Sequence, residues 1–382
     1  MDRWDGCGEA SPGTSGGAPG RPRFAVVGAG HGGLALAGAL GLMGFSTSLF
    51  NRSQERLAAV AERGGVEVEG ELHGFGPVER ATTSVADALR GADVVMVVVP
   101  ASAHGDVARR LAPFLAPGQV VVLNPGRTGG VLEFLAAMKD VGFRGEVTVA
   151  EAQTFIFASR AIGAGRARVV RVKRAVPVAA IPARRTGAVV RLLRQAFPQF
   201  VAAQSVLETS LHNMGAIFHP PLTVLNAARI ESTRGDFDYY HEGISPAVSA
   251  VLEAVDGERV GVARALGVNL QTAREWLMSA YGAGGGNLYE AVLNNEGYRG
   301  IKAPEDLQHR YIFEDVPCSL VPMASLGDML GVPTKTIKNI VHLASLLHGV
   351  DYWACGRTVE RLGLAGRSVP EIHDLVANGC LA

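Results

Sequence analysis

Cysteine is scarce. The 382 residues contain four, Cys7, Cys318, Cys355 and Cys380, scattered with no C-x-x-C spacing, so neither a disulfide framework nor a cysteine zinc site is signalled. A reducing cytoplasm is therefore the expected compartment. No charge of one sign dominates either. Lys+Arg and Asp+Glu each number 36, so the formal net charge is +0 and no polyanion, nucleic acid or anionic membrane, is favoured as a partner. Long apolar runs are missing too: Val94–Val99 falls far short of the roughly 20 residues of a membrane span. The N-terminus has no apolar core of the signal-peptide kind. A small molecule is the expected ligand.

What is present suits a globular enzyme. Hydrophobic residues make up 48% and charged residues 19%, enough apolar surface for sizeable cores. The length suits two domains, because single cores rarely grow past roughly 250 residues. Glycine is abundant at 48 residues, spread without tandem period, which implies many turns.

Residues 1–22 are rich in Gly, Pro and Ser without apolar periodicity and read as a disordered tail. Phe24–Val27 is an apolar β-prone run leading into a glycine turn and a small-residue helix, Leu34–Met43. A second strand, Thr47–Phe50, a helix over Gln54–Glu62 and apolar runs at Val94–Val99, Val120–Leu123 and Val147–Val149 follow. This alternation predicts an α/β Rossmann domain over residues 23–204, a doubly wound and mostly parallel sheet. Ala167–Val172, Val176–Ala180 and Phe200–Ala203 are expected to extend its edge. After Ser205 the spacing turns helical, as in Val206–Phe218, Pro246–Leu266, Gln271–Ala280 and Lys335–Leu347, so residues 205–382 are expected to form an all-α domain. Ser205 with Glu208 has capping-box form, placing a helix start there.

Gly28-Ala29-Gly30-His31-Gly32-Gly33 fits G-x-G-x-x-G between strand and helix. In that context the first glycine permits the tight turn, the second close approach of backbone to a pyrophosphate, the third helix–strand packing. His31 is expected to fill a solvent-facing turn position. Where an NAD enzyme places a carboxylate on the ribose hydroxyls, the second strand ends in Asn51, Arg52 and Ser53. A guanidinium there suits a ribose 2′-phosphate, so NADPH is expected over NADH. Pro100 and Asn124 follow later strands and are expected to line the nicotinamide side.

The stretch His212-Asn213-Met-Gly215-Ala216-Ile-Phe-His219-Pro220-Pro221 carries the catalytic expectation. A residue before proline is pushed out of helical geometry, so His219 is expected at a helix end or kink, with Gly215 and Ala216 clearing space one turn away. A histidine titrating near neutrality can supply or remove the proton of an imine nitrogen. Arg310 and Arg229 are alternative cations for a substrate carboxylate, and Asn213, Tyr239 and Tyr240 are candidates for shaping the pocket.

The segments Tyr298-Arg-Gly300-Ile-Lys-Ala-Pro304 and Arg310-Tyr311-Ile-Phe-Glu314-Asp315-Val-Pro317, taken with the His219-Pro helix, resemble the octopine/nopaline dehydrogenase (opine dehydrogenase) family. The likeness extends through Leu225–Arg229, Tyr239–Pro246, Asp256–Arg259 and Gly356–Gly363. It implies a helical domain like that of the 6-phosphogluconate dehydrogenase superfamily and reductive condensation of an amino acid or amine with a 2-oxo acid. It also implies that His219 is the catalytic histidine and Asp315 its partner. Held on the other ring nitrogen, Asp315 would fix the tautomer and favour imidazolium. A homodimer is a further expectation.

Two rivals are weaker. Other dehydrogenases of the superfamily, acting on hydroxy acids or polyol phosphates, use a lysine on the helix that here carries His219, and Val206–His219 contains none. A non-catalytic NADP-binding sensor would be expected to lose His219 or Asp315, and both are kept.

Overall fold

The computed structural model describes residues 20–379. Twelve strands occur among them: β1 (Phe24–Val27), β2 (Thr47–Phe50), β3 (Gly65–Gly70), β4 (Gly74–Pro77), β5 (Arg80–Thr82), β6 (Val94–Val97), β7 (Val120–Leu123), β8 (Thr148–Ala152), β9 (Phe157–Gly163), β10 (Arg166–Val172), β11 (Val176–Ile181) and β12 (Phe200–Ala202). Eight form the main sheet in the order β12-β11-β8-β7-β6-β1-β2-β5. All its pairings are parallel except β8 with β11. Every residue of β1, β2, β6 and β7 is buried, Thr47 and Ser48 of β2 included, as strands of a sheet covered on both faces should be.

A second sheet, β4-β3-β10-β9, corrects one expectation. Ala167–Val172 lies there and not on the main sheet's edge, because its alternating Arg/apolar pattern specifies a half-exposed strand without specifying a partner. The helix His31–Leu42 is sandwiched between the two sheets, which is why Gly33 through Gly41 are all buried in a segment apolar on every side. Part of the glycine content is explained here. A Cβ on Gly38 would stand 2.5 Å from Val68 Cγ2, and one on Gly76 would stand 1.9 Å from Gly38 O.

β12 ends at Ala202, and from Val206 the chain is helical. Ser205 does not cap that helix through its side chain. The Glu208 carboxylate instead accepts from the Gln204 amide at 2.8 Å, one residue earlier than a capping box requires. Residues 1–19 of the expected tail lie outside the described residues. Arg21 and Pro22 do not behave as tail, since Pro22 is buried and the Arg21 guanidinium lies 4.9 Å above the Phe45 ring. No helix among the described residues is long and apolar enough to cross a membrane.

The long helix Pro246–Ala265 braces the helical half. Its Arg259, wholly buried, bonds Asp256 at 2.7 Å, Leu211 O at 3.0 Å and Gln271 O at 2.6 Å. Glu258 accepts from the amides of Thr336 and Ile337 at 2.7 and 2.8 Å, satisfying the start of the helix Lys335–His348. The Asp256–Arg259 motif is thus architectural.

Candidate active site

The glycine loop leaves the carboxyl end of β1. Gly28 has φ +114°, where an L side chain is strained, and a Cβ on Gly33 would lie 1.7 Å from Gly28 O. At Gly30 a Cβ would meet nothing within 4 Å, so the backbone there is open to a phosphate group. A cavity of about 730 Å³ opens beside the loop, lined also by Asn51, Arg52, Ser53 and Pro100. These features fit a dinucleotide. Asn51 is part of the scaffold as well as the lining: its Oδ1 accepts from Ala29 N at 3.2 Å, tying the end of β2 to the glycine turn. His31 is exposed and its Nδ1 accepts from Ala161 N at 2.9 Å, anchoring the loop to β9. Gly32 gives room to the Phe155 ring, which a Cβ at that position would approach to 3.0 Å. Asn124 is buried, its Nδ2 bonded to Val122 O at 2.8 Å, and does not reach the cavity lining.

His219 is the sixth residue of the helix Met214–Leu225, which continues through Pro220 and Pro221. The expected kink is displaced: the chain breaks before the helix, at His212–Asn213. Packing outweighs the local proline preference, because the helix is buried along most of its length and the His219 carbonyl accepts from Thr223 Oγ1 at 2.7 Å and Tyr239 Oη at 2.9 Å. Asp315 enters from the junction of the short helix Arg310–Phe313 and a π turn, Val316–Leu320. His219 Nδ1 donates to Asp315 Oδ2 at 2.8 Å. Tyr311 stacks on the imidazole, ring centroids 3.9 Å apart.

Arg127, which no sequence motif singles out, completes the centre from the loop after β7. Its Nη1 lies 3.2 Å from Asp315 Oδ1 and donates to Asn213 Oδ1 at 3.3 Å, while its Nε lies 3.5 Å from Glu314. Gly215 makes room, since a Cβ there would stand 2.8 Å from Arg127 Nη1 and 3.3 Å from His219 Cε1. Burial raises the Asp315 carboxyl, but Arg127 and His219 outweigh it and hold the group below the usual carboxylate range. At His219 the balance falls the other way. Burial pushes the imidazole down; Asp315 favours its charged form, as expected, but does not outweigh burial together with the nearby Arg127 and Arg310, so His219 lies below the usual histidine range.

The two candidate arginines separate. Arg229 pairs with Glu242 at 3.1 Å and covers the Phe237 ring at 4.1 Å. Arg310 is 53% exposed and next to the centre, and among the described residues only its Nε is engaged, by Glu314 at 3.2 Å. Tyr240 stacks on Tyr298 at 4.0 Å inside an aromatic cluster, and Tyr239 is the tyrosine that touches the His219 backbone. Asn213 joins Arg127 to Ser319, 2.8 Å from its Nδ2.

Two more buried groups have roles that the sequence does not disclose, because their partners are far apart in the chain. Arg357 bonds Gly126 O and Thr128 O at 3.0 and 3.1 Å, on either side of Arg127, and also Ala101 O, His104 and Glu133. Glu151, on β8, accepts from Thr209, Ser210 and Val131 N at 2.7 to 3.1 Å, and burial pushes it up to about 7.

Residues 202–348 match the family model described as NAD/NADP octopine/nopaline dehydrogenase, alpha-helical domain, and residues 23–125 match the NAD binding domain of 6-phosphogluconate dehydrogenase. An opine dehydrogenase of Arthrobacter sp. (strain 1C) is 39% identical over 354 residues, 92% of this chain and 98% of that protein. In fold, octopine dehydrogenase in complex with NADH and agmatine superposes with TM-score 0.78 at 20% identity, covering 94% of this chain and 98% of that one. Yersinopine dehydrogenase with NADP+ bound gives 0.68 at 15%, covering 93% and 98%. Identity at that level over nearly the whole length of the Arthrobacter enzyme places this chain in the octopine/nopaline (opine) dehydrogenase family, whose members are NAD(P)-dependent oxidoreductases acting on CH–NH bonds.

Proposed function

We propose that the protein reduces the imine formed between an amino acid or amine and a 2-oxo acid, with NADPH preferred to NADH, and that His219 and Asp315 move the protons. The carrying observation is the 2.8 Å bond from His219 Nδ1 to a carboxylate held ionised by Arg127. That bond fixes the tautomer and leaves Nε2 as the basic atom. A neutral His219 takes a proton from the substrate ammonium, freeing the amine to attack the carbonyl carbon of the 2-oxo acid. The resulting imidazolium, stabilised by Asp315, returns the proton to the carbinolamine hydroxyl, which leaves as water and gives the iminium. A reduced nicotinamide, if held by the Gly28–Gly33 loop, would supply the hydride for the iminium carbon. Screening NADPH oxidation over a matrix of amines, amino acids and 2-oxo acids, with product masses determined, tests the reaction; absence of a secondary amine product from every pair would overturn it.

Because burial holds His219 below its ordinary value, the base is present through neutral pH and is lost only on acidification. The acid limb of kcat/KM is expected below pH 6.5, and Asp315→Asn should move it lower still, since it removes the carboxylate that lifts the ring. A limb above 6.5 in the wild-type profile would contradict the assignment.

The cofactor preference rests on Arg52 and Arg56. Both are exposed on the cavity lining, neither forms an ion pair among the described residues, and no carboxylate ends β2. Arg52→Ala should raise the KM for NADPH about tenfold and leave that for NADH nearly unchanged, because only NADPH presents the 2′-phosphate. Equal changes in the two constants would refute it.

A further inference from the structure

Lys173 lies in the turn from β10 to β11, at the carboxyl end of β8. Its amide donates to Ile156 O at 2.9 Å, and the Gln153 amide donates to Pro177 O at 2.9 Å, so this turn is sewn to the segment leaving β8. The side chain turns inward. Among the described residues Nζ has one bonded partner, Thr154 Oγ1, to which it donates, and no carboxylate comes within ion-pair distance of it.

The surroundings place this ammonium at the cleft. Phe155, next to Thr154, lies against Gly32 at the start of the glycine-loop helix. Gln153 Nε2 donates to His212 O at 3.3 Å, beside Asn213, which in turn holds Arg127. Arg127 is close enough to repel Lys173, and burial with that repulsion pushes the amine down to about 8. Arg127 has Asp315 and Glu314 to balance it, whereas Lys173 has a hydroxyl alone. A cation withdrawn from water without a counter-charge is costly. Its position between the cofactor loop and the catalytic centre supplies the reason to keep one there, a counter-charge that arrives with the ligand.

We propose that Lys173, steadied by Thr154, is a binding site for a substrate carboxylate on the Rossmann side of the cleft, separate from the half-exposed Arg310. The proposal rests on the imine-reduction reading, in which both condensing partners are able to carry a carboxylate. Either the amino acid or the 2-oxo acid supplies it, and the two are separable by experiment.

The test compares each carboxylated substrate with its counterpart lacking the group, the amino acid with its decarboxylated amine and the 2-oxo acid with the corresponding aldehyde. In Lys173→Met, kcat/KM for one carboxylated substrate should fall about tenfold or more. Its decarboxylated counterpart should be little affected, and the dissociation constant of NADPH unchanged. The arm in which discrimination collapses identifies the source of the carboxylate. Lys173→Arg should recover part of the discrimination, which a purely structural loss would not allow. Unchanged discrimination in both arms, or a loss falling on NADPH affinity instead, would overturn the site. If Lys173→Met fails to fold, Thr154→Val carries the same comparison with a smaller shift in the same direction, and no shift there overturns the proposal. If the wild-type protein turns over no pair, the functional reading itself has failed. Binding of pyruvate to the NADPH-loaded protein then decides the carboxylate site alone, with unchanged affinity in Lys173→Met counting against it.

Discussion

Alanine at position 219 should lower turnover by about 10²–10⁴-fold while NADPH still binds, the usual cost of losing a positioned general acid or base. The imidazole, its proton affinity lowered by burial, bonds the carboxylate that Arg127 favours in its charged form, and the cofactor cavity is lined by other residues. Asp315→Asn should be of comparable severity. An asparagine side chain is able to hold the ring but can equally donate to Nδ1 and place the proton on the wrong nitrogen, and it cannot stabilise the imidazolium. The two losses should not multiply, since each removes the same proton transfer. His219→Ala/Asp315→Asn should therefore be about as slow as His219→Ala alone. A double variant slower by the product of the single losses would show that the residues act independently. Titrating NADPH into each variant separates a chemical defect from a folding one.

The parts of this centre that are contiguous in the chain are legible from the sequence. Gly28 to Gly33 lie between a strand and a helix, Gly28 and Gly33 have a local steric reason to be glycine, and Gly30 leaves the backbone open, so the loop announces itself. His219 stands out because two prolines follow it, although the kink expected there is absent: tertiary burial keeps the helix running and moves the break to His212–Asn213. Asp315 comes only with the family resemblance, since nothing local distinguishes a carboxylate 96 residues away as the partner of that ring. The second sheet escapes for a similar reason. Val66 and Val68 alternate with Glu67 and Glu69 as a half-exposed strand should, but β3 finds its partner in β10, about a hundred residues later. Lys173 and Glu151 are invisible, and Arg357 falls inside the Gly356–Gly363 likeness without a role, because what marks all three is burial among distant partners, and composition carries no record of that.

Arg127 is the strongest case of a residue the chain hides. It sits at φ +60°, in the left-handed region that non-glycine residues seldom occupy, with the carbonyls on either side of it held by the buried Arg357 guanidinium. The helical half thus sets the backbone of a Rossmann-domain loop, whose side chain then reaches back to charge-balance Asp315 and Glu314 in the helical half. Arg127→Met should cost stability and alter chemistry together. Removing one partner of a buried ion pair costs about 3–5 kcal/mol. The lower end is expected here, because the contacts of 3.2 and 3.5 Å are ionic approaches without the alignment of hydrogen bonds. The chemical effect has a definite sign. Arg127 presses both Asp315 and His219 towards lower proton affinity, so its loss makes the pair bind protons more readily, and the acid limb of kcat/KM should move to higher pH. Arg127→Lys should keep most of that pH behaviour while losing affinity between the halves, since one ammonium does not span Asp315, Glu314 and Asn213 as the planar fork does. Urea unfolding and the pH profile, measured on both variants, decide the point. An acid limb that stays in place in Arg127→Met would mean that this guanidinium braces the cleft without tuning the proton-transfer pair.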